Sequence, residues 1–167
     1  KVTFLCKKLG IPLLSYHADG KIRLWNVSRA NAQVVAEVNG RLPVTAPDQK
    51  PADMTCMQVD PQNHNLFTGD ASGMLAIWDI RGLDATVPSS YRTLVVTKTW
   101  AAHSDNLTQL AYADNHQTLI TASVDTSLRM WTLDGALIGT FGSRTWNLRG
   151  VPEAPAEDPT TGGFFLT

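Results

Sequence analysis

The sequence predicts an all-β fold built from three similar antiparallel sheets, each with four short strands. Three observations predict it. Apolar residues alternate with a period of two, polar turns separate the alternating stretches, and the whole pattern recurs along the 167-residue chain. The recurrence is set by Trp25, Trp78 and Trp131, which are spaced by 53 residues in both intervals. Such regular self-similarity is typical of a repeat architecture.

The residues around these tryptophans match in type from repeat to repeat without a gap. A small four-stranded sheet cannot bury both of its faces alone. We therefore expect the sheets to pack face to face around a centre, as the blades of a β-propeller do. The matching apolar positions are Leu14, Phe67 and Ile120, then Ile22, Leu75 and Leu128, then Leu24, Ile77 and Met130.

The first two repeats exceed the usual blade length at different places. The first repeat is assigned to residues 1–53, with its fourth strand at residues 32–38 followed by a long proline-containing loop. The second is assigned to residues 54–106, and an insertion precedes its fourth strand at residues 93–99. Loops after the third and fourth strands open on opposite rims of a propeller, so we expect the two insertions to lie on opposite rims.

The third repeat is the most compact and is assigned to residues 107–141. Its four strands are expected at residues 107–113, 118–123, 128–133 and 136–141. Residues 142–167 lose the alternating pattern and become rich in proline, glycine and acidic residues. This composition is typical of a loop or linker that leaves the folded repeats.

Four residues of the third repeat resemble the structural tetrad of the WD-repeat β-propeller family. His103 precedes the first strand, Ser123 ends the second, Asp125 lies in the next turn and Trp131 lies on the third strand. In that family the four side chains form a hydrogen-bonded network that stabilises a blade. The resemblance covers residues 1–141 and implies three blades that are part of a larger propeller.

The first two repeats keep only parts of this tetrad. The first keeps Asp19 and Trp25, with His17 where the family has a serine, and the second keeps Trp78. The hydrogen-bonded networks of these two blades are therefore expected to be incomplete. The substitutions in the second repeat are Asp70 for the serine, Ser72 for the aspartate and Lys50 for the histidine.

His103, Ser123 and Asp125 are also the residue types of a serine-hydrolase triad. A triad needs an exposed nucleophile, a base oriented by a carboxylate and an oxyanion hole. Ser123 is expected instead at the end of a strand, and Trp131 belongs to the same spacing although catalysis does not require it. We favour the structural interpretation and expect no enzymatic activity, with a hydrolase that uses Ser123 and His103 as the alternative.

No cofactor or metal site is expected from the sequence. His17, His64 and His116 fall in or beside turns of different repeats, and no pair of His or Cys residues has the spacing of metal ligands. Glycine-rich phosphate loops and acidic calcium loops are also missing from the sequence. We therefore predict no small-molecule substrate.

The composition favours protein partners over nucleic acid or a membrane. The chain has 14 basic and 15 acidic residues, so it lacks the basic excess that attracts either polyanionic partner. Its apolar runs are far shorter than the roughly 20 residues of a membrane span. Two cysteines, Cys6 and Cys56, fit a reducing compartment, and we expect a cytoplasmic location.

The resemblance also implies where partners bind. Propellers of this family resemble interaction platforms that use one rim, which we call the top face. We expect a non-catalytic scaffold for protein–protein interactions in a larger assembly, with a partner-recruiting subunit of an enzyme complex as the alternative. The top-face positions are Ala18, Asp53, Thr55, Ala71, Asn106, Thr108 and Val124.

Two features near the chain ends suggest further expectations. Residues 137–142, together with Trp146 and Leu148, resemble the last repeat of ciliary WD-repeat proteins that carry EF-hand segments. This resemblance implies a structural role in the cilium or axoneme. The chain starts at Lys1 with an apolar extended stretch, so we also expect that the remaining blades come from further sequence or from another chain.

Overall fold

A computed structural model describes residues 2–4, 13–27, 32–42, 50–81, 94–149 and 151. The strands of this part of the chain form three four-stranded sheets, and each sheet is an antiparallel meander in chain order. The predicted all-β fold of three four-stranded sheets is confirmed. Over these ranges no helix is long and apolar enough to cross a membrane.

The strands have the following bounds. The first sheet contains β1 (Val2–Phe4), β2 (Leu13–Tyr16), β3 (Lys21–Val27) and β4 (Ala32–Asn39). The second contains β5 (Met54–Val59), β6 (Asn65–Asp70), β7 (Met74–Asp79) and β8 (Val95–Ala101). The third contains β9 (Leu107–Ala113), β10 (Thr118–Ser123), β11 (Leu128–Thr132) and β12 (Leu137–Thr140).

The fourth strand of the second sheet lies two residues later than the sequence predicts. β8 pairs with β7 in a register that places Ala101 opposite Met74, so the strand continues to Ala101. The insertion that precedes it falls largely on residues 82–93, which lie outside the described ranges. Residues 43–49 of the other predicted loop lie outside them as well.

A register shift precedes the tryptophan of every sheet. The pairing of the third and fourth strands slips between Leu24 and Trp25, between Ile77 and Trp78, and between Met130 and Trp131. A bulge of this kind bends a strand and increases its twist. The repeat therefore extends from the residue pattern to the backbone geometry.

The core lies between sheets rather than inside any one of them. Alternate residues of the second sheet point to opposite faces. Leu66 and Trp78 pack against the first sheet, whereas Phe67 and Leu75 pack against the third. The face of the second sheet that carries Trp78 thus covers the first sheet, and the face of the third sheet that carries Trp131 covers the second. The three sheets therefore stack in one direction, head to tail.

The third sheet leaves its own apolar face uncovered within the described part of the chain. Phe67, Leu75 and Ile77 are 0%, 0% and 4% exposed in the second sheet. Their counterparts in the third sheet are only partly covered, and Leu128 is 37% exposed. A further sheet of the same kind would bury this face as the third sheet buries the second.

Candidate functional site

The third blade contains a continuous chain of four buried or nearly buried polar side chains. Trp131 Nε1 donates to Thr121 Oγ1 at 2.9 Å, and Thr121 Oγ1 lies 2.8 Å from His103 Nε2. His103 Nδ1 lies 3.0 Å from Asp125 Oδ2. With a proton on Nδ1, His103 can donate to the carboxylate and accept the Thr121 hydroxyl at Nε2, so every link has one donor and one acceptor.

Ser123, assigned to the tetrad from the sequence, bonds to backbone atoms rather than to His103 or Trp131. Ser123 Oγ donates to the Asp105 carbonyl at 3.0 Å and accepts from the Asp125 N–H at 3.1 Å. Thr121, two residues earlier, occupies the linking position because Leu119 lies opposite Trp131, which makes Thr121 the diagonal neighbour of the indole on the same face. Ser123 instead holds the turn that carries Asp125.

The same tryptophan–hydroxyl bond occurs in all three blades. Trp25 Nε1 donates to Ser15 Oγ at 2.6 Å, and Trp78 Nε1 donates to Thr68 Oγ1 at 2.9 Å. Ser15, Thr68 and Thr121 follow the 53-residue period of the tryptophans. This period was the signal in the sequence that could have identified the linking residue.

Hydrogen bonds hold the carboxylate of Asp125 in its ionised form. Burial by itself would raise the pKa of Asp125. Its oxygens accept from the Ser127 hydroxyl at 2.6 Å and the Ser127 N–H at 3.0 Å, and they face His103. These bonds keep the pKa of Asp125 well below its ordinary value. The turn between β10 and β11 is therefore tied to the loop that precedes β9.

The second blade replaces this long-range link with a local one. Asp70 Oδ1 accepts from the Ser72 N–H at 2.9 Å, from the Ser72 hydroxyl at 2.7 Å and from the Met74 N–H at 3.0 Å. The carboxylate thus closes its own turn between β6 and β7. Lys50, at the position of the family histidine, is exposed.

The first blade uses a histidine from its own turn. His17 Nε2 lies 2.7 Å from Ser15 Oγ, which also accepts from Trp25, and the rings of His17 and Trp25 are 6.3 Å apart. Asp19 does not join this group but pairs with Arg23 at 2.6 Å. That hydrogen bond lowers the pKa of Asp19, which lies at the surface.

The geometry around Ser123 differs from that of a nucleophile and its base. The Ser123 hydroxyl is engaged with the backbone of Asp105 and Asp125. The Nε2 atom of His103, which would have to accept the nucleophile's proton, is bonded to Thr121 instead. The arrangement is therefore suited to holding a blade together rather than to acyl transfer.

The structure places the seven predicted top-face residues beside the turns between second and third strands. Ala18, Asp53, Ala71, Thr108 and Val124 are exposed. Backbone hydrogen bonds join two pairs of the seven residues. The Ala71 N–H donates to the Asp53 carbonyl at 2.9 Å, and the Val124 N–H donates to the Asn106 carbonyl at 2.9 Å.

Two of the seven top-face residues are half-buried and serve the packing of the blades. The Thr55 hydroxyl donates to the Leu107 carbonyl and so joins the second blade to the third. Asn106 has its side-chain oxygen buried and its backbone carbonyl bonded to Val124. These two residues therefore hold the loops of the top face in place and present little of their own surface to a partner.

An ion pair that the sequence did not indicate lies at the junction of the first two blades. Arg41 Nη2 is 2.8 Å from Asp53 Oδ1 and 3.4 Å from the Ala18 carbonyl. The Tyr16 hydroxyl donates to the same carboxylate at 3.4 Å. Arg41 therefore connects two of the predicted top-face positions. Its position after β4 carries no periodic signal that could have revealed it.

The described residues contain no group of three or more His, Cys, Asp or Glu side chains that could hold a metal ion. A polar cavity of about 320 Å³ lies between the second and third blades. Its wall includes Asp60, which is already bonded to the N–H groups of His64 and Asn65.

Comparison with known proteins identifies the repeat. Residues 45–79 and 94–132 match the WD40 family, described as WD domain, G-beta repeat. The chain belongs to the WD40-repeat family. The resemblance to WD-repeat β-propellers is thereby confirmed, and the three sheets match WD40 blades.

Two curated WD40 relatives and one solved structure illustrate the similarity. Mitochondrial division protein 1 of Eremothecium gossypii is 30% identical over 77% of this chain and 16% of its own length. Nucleoporin Nup43 of Homo sapiens is 26% identical over 71% of this chain and 27% of its own length. The C-terminal WD40 domain of Sif2 superposes with a TM-score of 0.59 at 17% identity, covering 84% of this chain and 36% of that one. The WD40 chain described here thus spans less than a third of these curated relatives.

Proposed function

We propose that this WD40 chain is a non-catalytic scaffold that binds partner proteins through its top face. The observation that carries the proposal is the geometry of that face. Ala18, Ala71 and Val124 are exposed at equivalent turns, and backbone bonds to the adjoining loops fix Ala71 and Val124. Small and apolar side chains on rigid turns can pack against a protein surface with little loss of conformational entropy.

The charge of the top face also favours protein partners over polyanions. Asp53 is balanced by Arg41, and the remaining six positions are uncharged. Binding to a phosphate backbone would need several cationic side chains on one surface. Among the relatives, the nucleoporin is named for a protein assembly, which supports the same class of role for this chain.

For its location, we propose the cytoplasm and, within it, a ciliary or axonemal assembly. The proposal rests on the resemblance of residues 137–142, Trp146 and Leu148 to the last repeat of ciliary WD-repeat proteins. A fluorescently tagged chain expressed in ciliated cells is expected to concentrate along the axoneme. A uniform distribution through the cytoplasm would contradict the ciliary part of the proposal.

Quantitative affinity purification tests the role of the top face. The tagged chain and the double variant Ala71→Glu/Val124→Glu are compared by mass spectrometry of the proteins that they retain. We expect the variant to lose specific partners, because two buried carboxylates in an apolar contact have no compensating charge. Asn115→Glu, at an exposed turn before β10, adds a charge away from Ala71 and Val124, and this variant is expected to retain the same partner proteins. Equal recovery with both variants would contradict the proposal.

A further inference from the structure

The segment that follows β12 folds back along the outer edge of the third blade. Gly139 on β12 pairs with Trp146 in an antiparallel bridge, and the Asn147 N–H donates to the Ile138 carbonyl at 2.6 Å. β12 is the edge strand of its sheet, and the opposite edge, β9, packs on the second blade. The outer edge therefore carries an isolated β-bridge in a segment that the sequence assigned to a loop or linker.

Trp146 is fixed on this edge although it is 39% exposed. Its indole lies so close over Gly139 that a Cβ atom there would be 2.6 Å from the ring. Trp146 Nε1 donates to the Ser143 carbonyl at 3.3 Å, and Phe141 meets the indole edge-on at 5.1 Å between ring centroids. A large aromatic surface is thus held in place and still open to solvent.

Further apolar and basic residues surround this aromatic pair. Leu137, Phe141 and Leu148 are 42%, 43% and 66% exposed. Arg144 and Arg149 are exposed, and residues 135–149 include no Asp or Glu. Over the described part of the chain neither arginine forms an ion pair. We call this surface the aromatic–arginine patch, formed by Leu137, Phe141, Arg144, Trp146, Leu148 and Arg149.

We propose that the aromatic–arginine patch binds an amphipathic segment of a partner protein that carries acidic side chains beside large apolar ones. Exposed apolar clusters of this kind mark interaction sites, and Trp, Phe and Arg are the residue types enriched where proteins meet. The charge selects the partner, because Arg144 and Arg149, which pair with no carboxylate among the described residues, complement acidic and repel basic segments. The proposal rests on the scaffold function but uses a surface apart from the top face.

The test is a selection of displayed random peptides of about 12 residues on the whole chain, followed by fluorescence polarisation of the recovered peptides. We expect one class of peptides to combine acidic with large apolar residues. Arg144→Glu and Arg149→Glu should each weaken the binding of this class at least about tenfold. Lys50→Glu makes the same charge change at another exposed cation and should leave binding unchanged.

A second variant tests the apolar half of the patch without disturbing the packing on Gly139. Leu148→Ser changes the most exposed apolar side chain of the patch and should weaken the same peptides. Recovered peptides without acidic residues, or acidic peptides that bind all three patch variants as tightly as the unchanged chain, would overturn the proposal. Peptides that respond only to Ala71→Glu/Val124→Glu would overturn it and leave the scaffold function standing. Peptides that respond to neither set would contradict both.

Discussion

Thr121 is the residue on which the third-blade network depends. Its single hydroxyl accepts from Trp131 and faces His103, so two buried polar groups rely on one oxygen. A buried network of this kind is stabilising only while every member is satisfied. Ser123, which the sequence had assigned to the tetrad, bonds to the backbone of Asp105 and Asp125 at the end of the strand.

We expect Thr121→Val to lower the free energy of unfolding by about 2–3 kcal/mol, because the shape is kept while His103 and Trp131 lose their partner. Thr121→Ser keeps the hydroxyl and should cost less than about 1.5 kcal/mol. Ser123→Ala, at a half-buried turn position, should cost about 1 kcal/mol. Urea denaturation monitored by tryptophan fluorescence measures all three. A larger loss of unfolding free energy for Ser123→Ala than for Thr121→Val would show that the network depends on Ser123, as the sequence had suggested.

The ionised state of Asp125 predicts how this network responds to acid. The pKa of Asp125 is lowered in the folded state, whereas the unfolded chain has a value near 3.8. A lowered folded pKa means that the unfolded state takes up the proton first. The stability that Asp125 contributes is therefore complete above its unfolded pKa and is lost as the pH falls below about 4.

Asp125→Asn is accordingly expected to be destabilising near about pH 6 and to differ much less from the unchanged chain near about pH 2. Denaturation at both pH values measures the difference. Asp134→Asn is the control, because Asp134 forms only a surface pair with Lys98 and should cost little at either pH. A deficit of Asp125→Asn that stays constant across this range would exclude a role for the charge.

At the scale of strands and sheets, the 53-residue repeat allows the same residue to be compared in two environments. Leu75 on β7 and Leu128 on β11 are equivalent leucines, but the third sheet covers Leu75 and no described residue covers Leu128 to the same extent. Burial decides the stabilisation that an apolar side chain gives, because the effect follows the apolar area removed from water.

Leu75→Ala should therefore cost about 3–5 kcal/mol, whereas Leu128→Ala should cost about 1 kcal/mol or less. Denaturant midpoints of the two variants give the comparison. If a further sheet covers the third blade in the assembled protein, Leu128→Ala should become as costly as Leu75→Ala there. Equal losses in the isolated chain would mean that the face of Leu128 is already covered.

The strands could be predicted well because alternation and turns are local signals. β9 and β10 have the predicted bounds, β11 ends one residue earlier, and β12 is one residue shorter at each end. β8 was misplaced because its ends depend on pairing with β7 rather than on its own residues. The β-bridge at Trp146 was missed for a similar reason, since it is defined by contact with Gly139 and has no alternation.

The site could be predicted only in part. The tryptophans, His103 and Asp125 follow recognisable spacings, and the structure brings His103, Asp125 and Trp131 together. The linking hydroxyl is at Thr121 rather than Ser123; positions two apart on a strand share a face, and only the recurrence of a hydroxyl at Ser15, Thr68 and Thr121 distinguishes them. Arg41 was missed because its partner Asp53 is 12 residues away in the sequence and no spacing pattern links the two.

At the scale of the whole molecule, the three WD40 blades form a directional stack. The tryptophan side of one blade covers the apolar side of the blade before it, at both junctions. A head-to-tail arrangement of this kind closes into a ring when enough blades are added. The second blade is covered on both faces, while the third has one face uncovered within the described ranges.

Hydrogen exchange with mass spectrometry tests this stack most directly, because amide protection follows the local free energy of opening. The stacked arrangement predicts that peptides from β6 and β7, which are packed on both sides, exchange at least about tenfold more slowly than peptides from β10 and β11. Equal exchange of the two hairpins, or slower exchange of β10 and β11, would contradict the packing of the second blade between its neighbours.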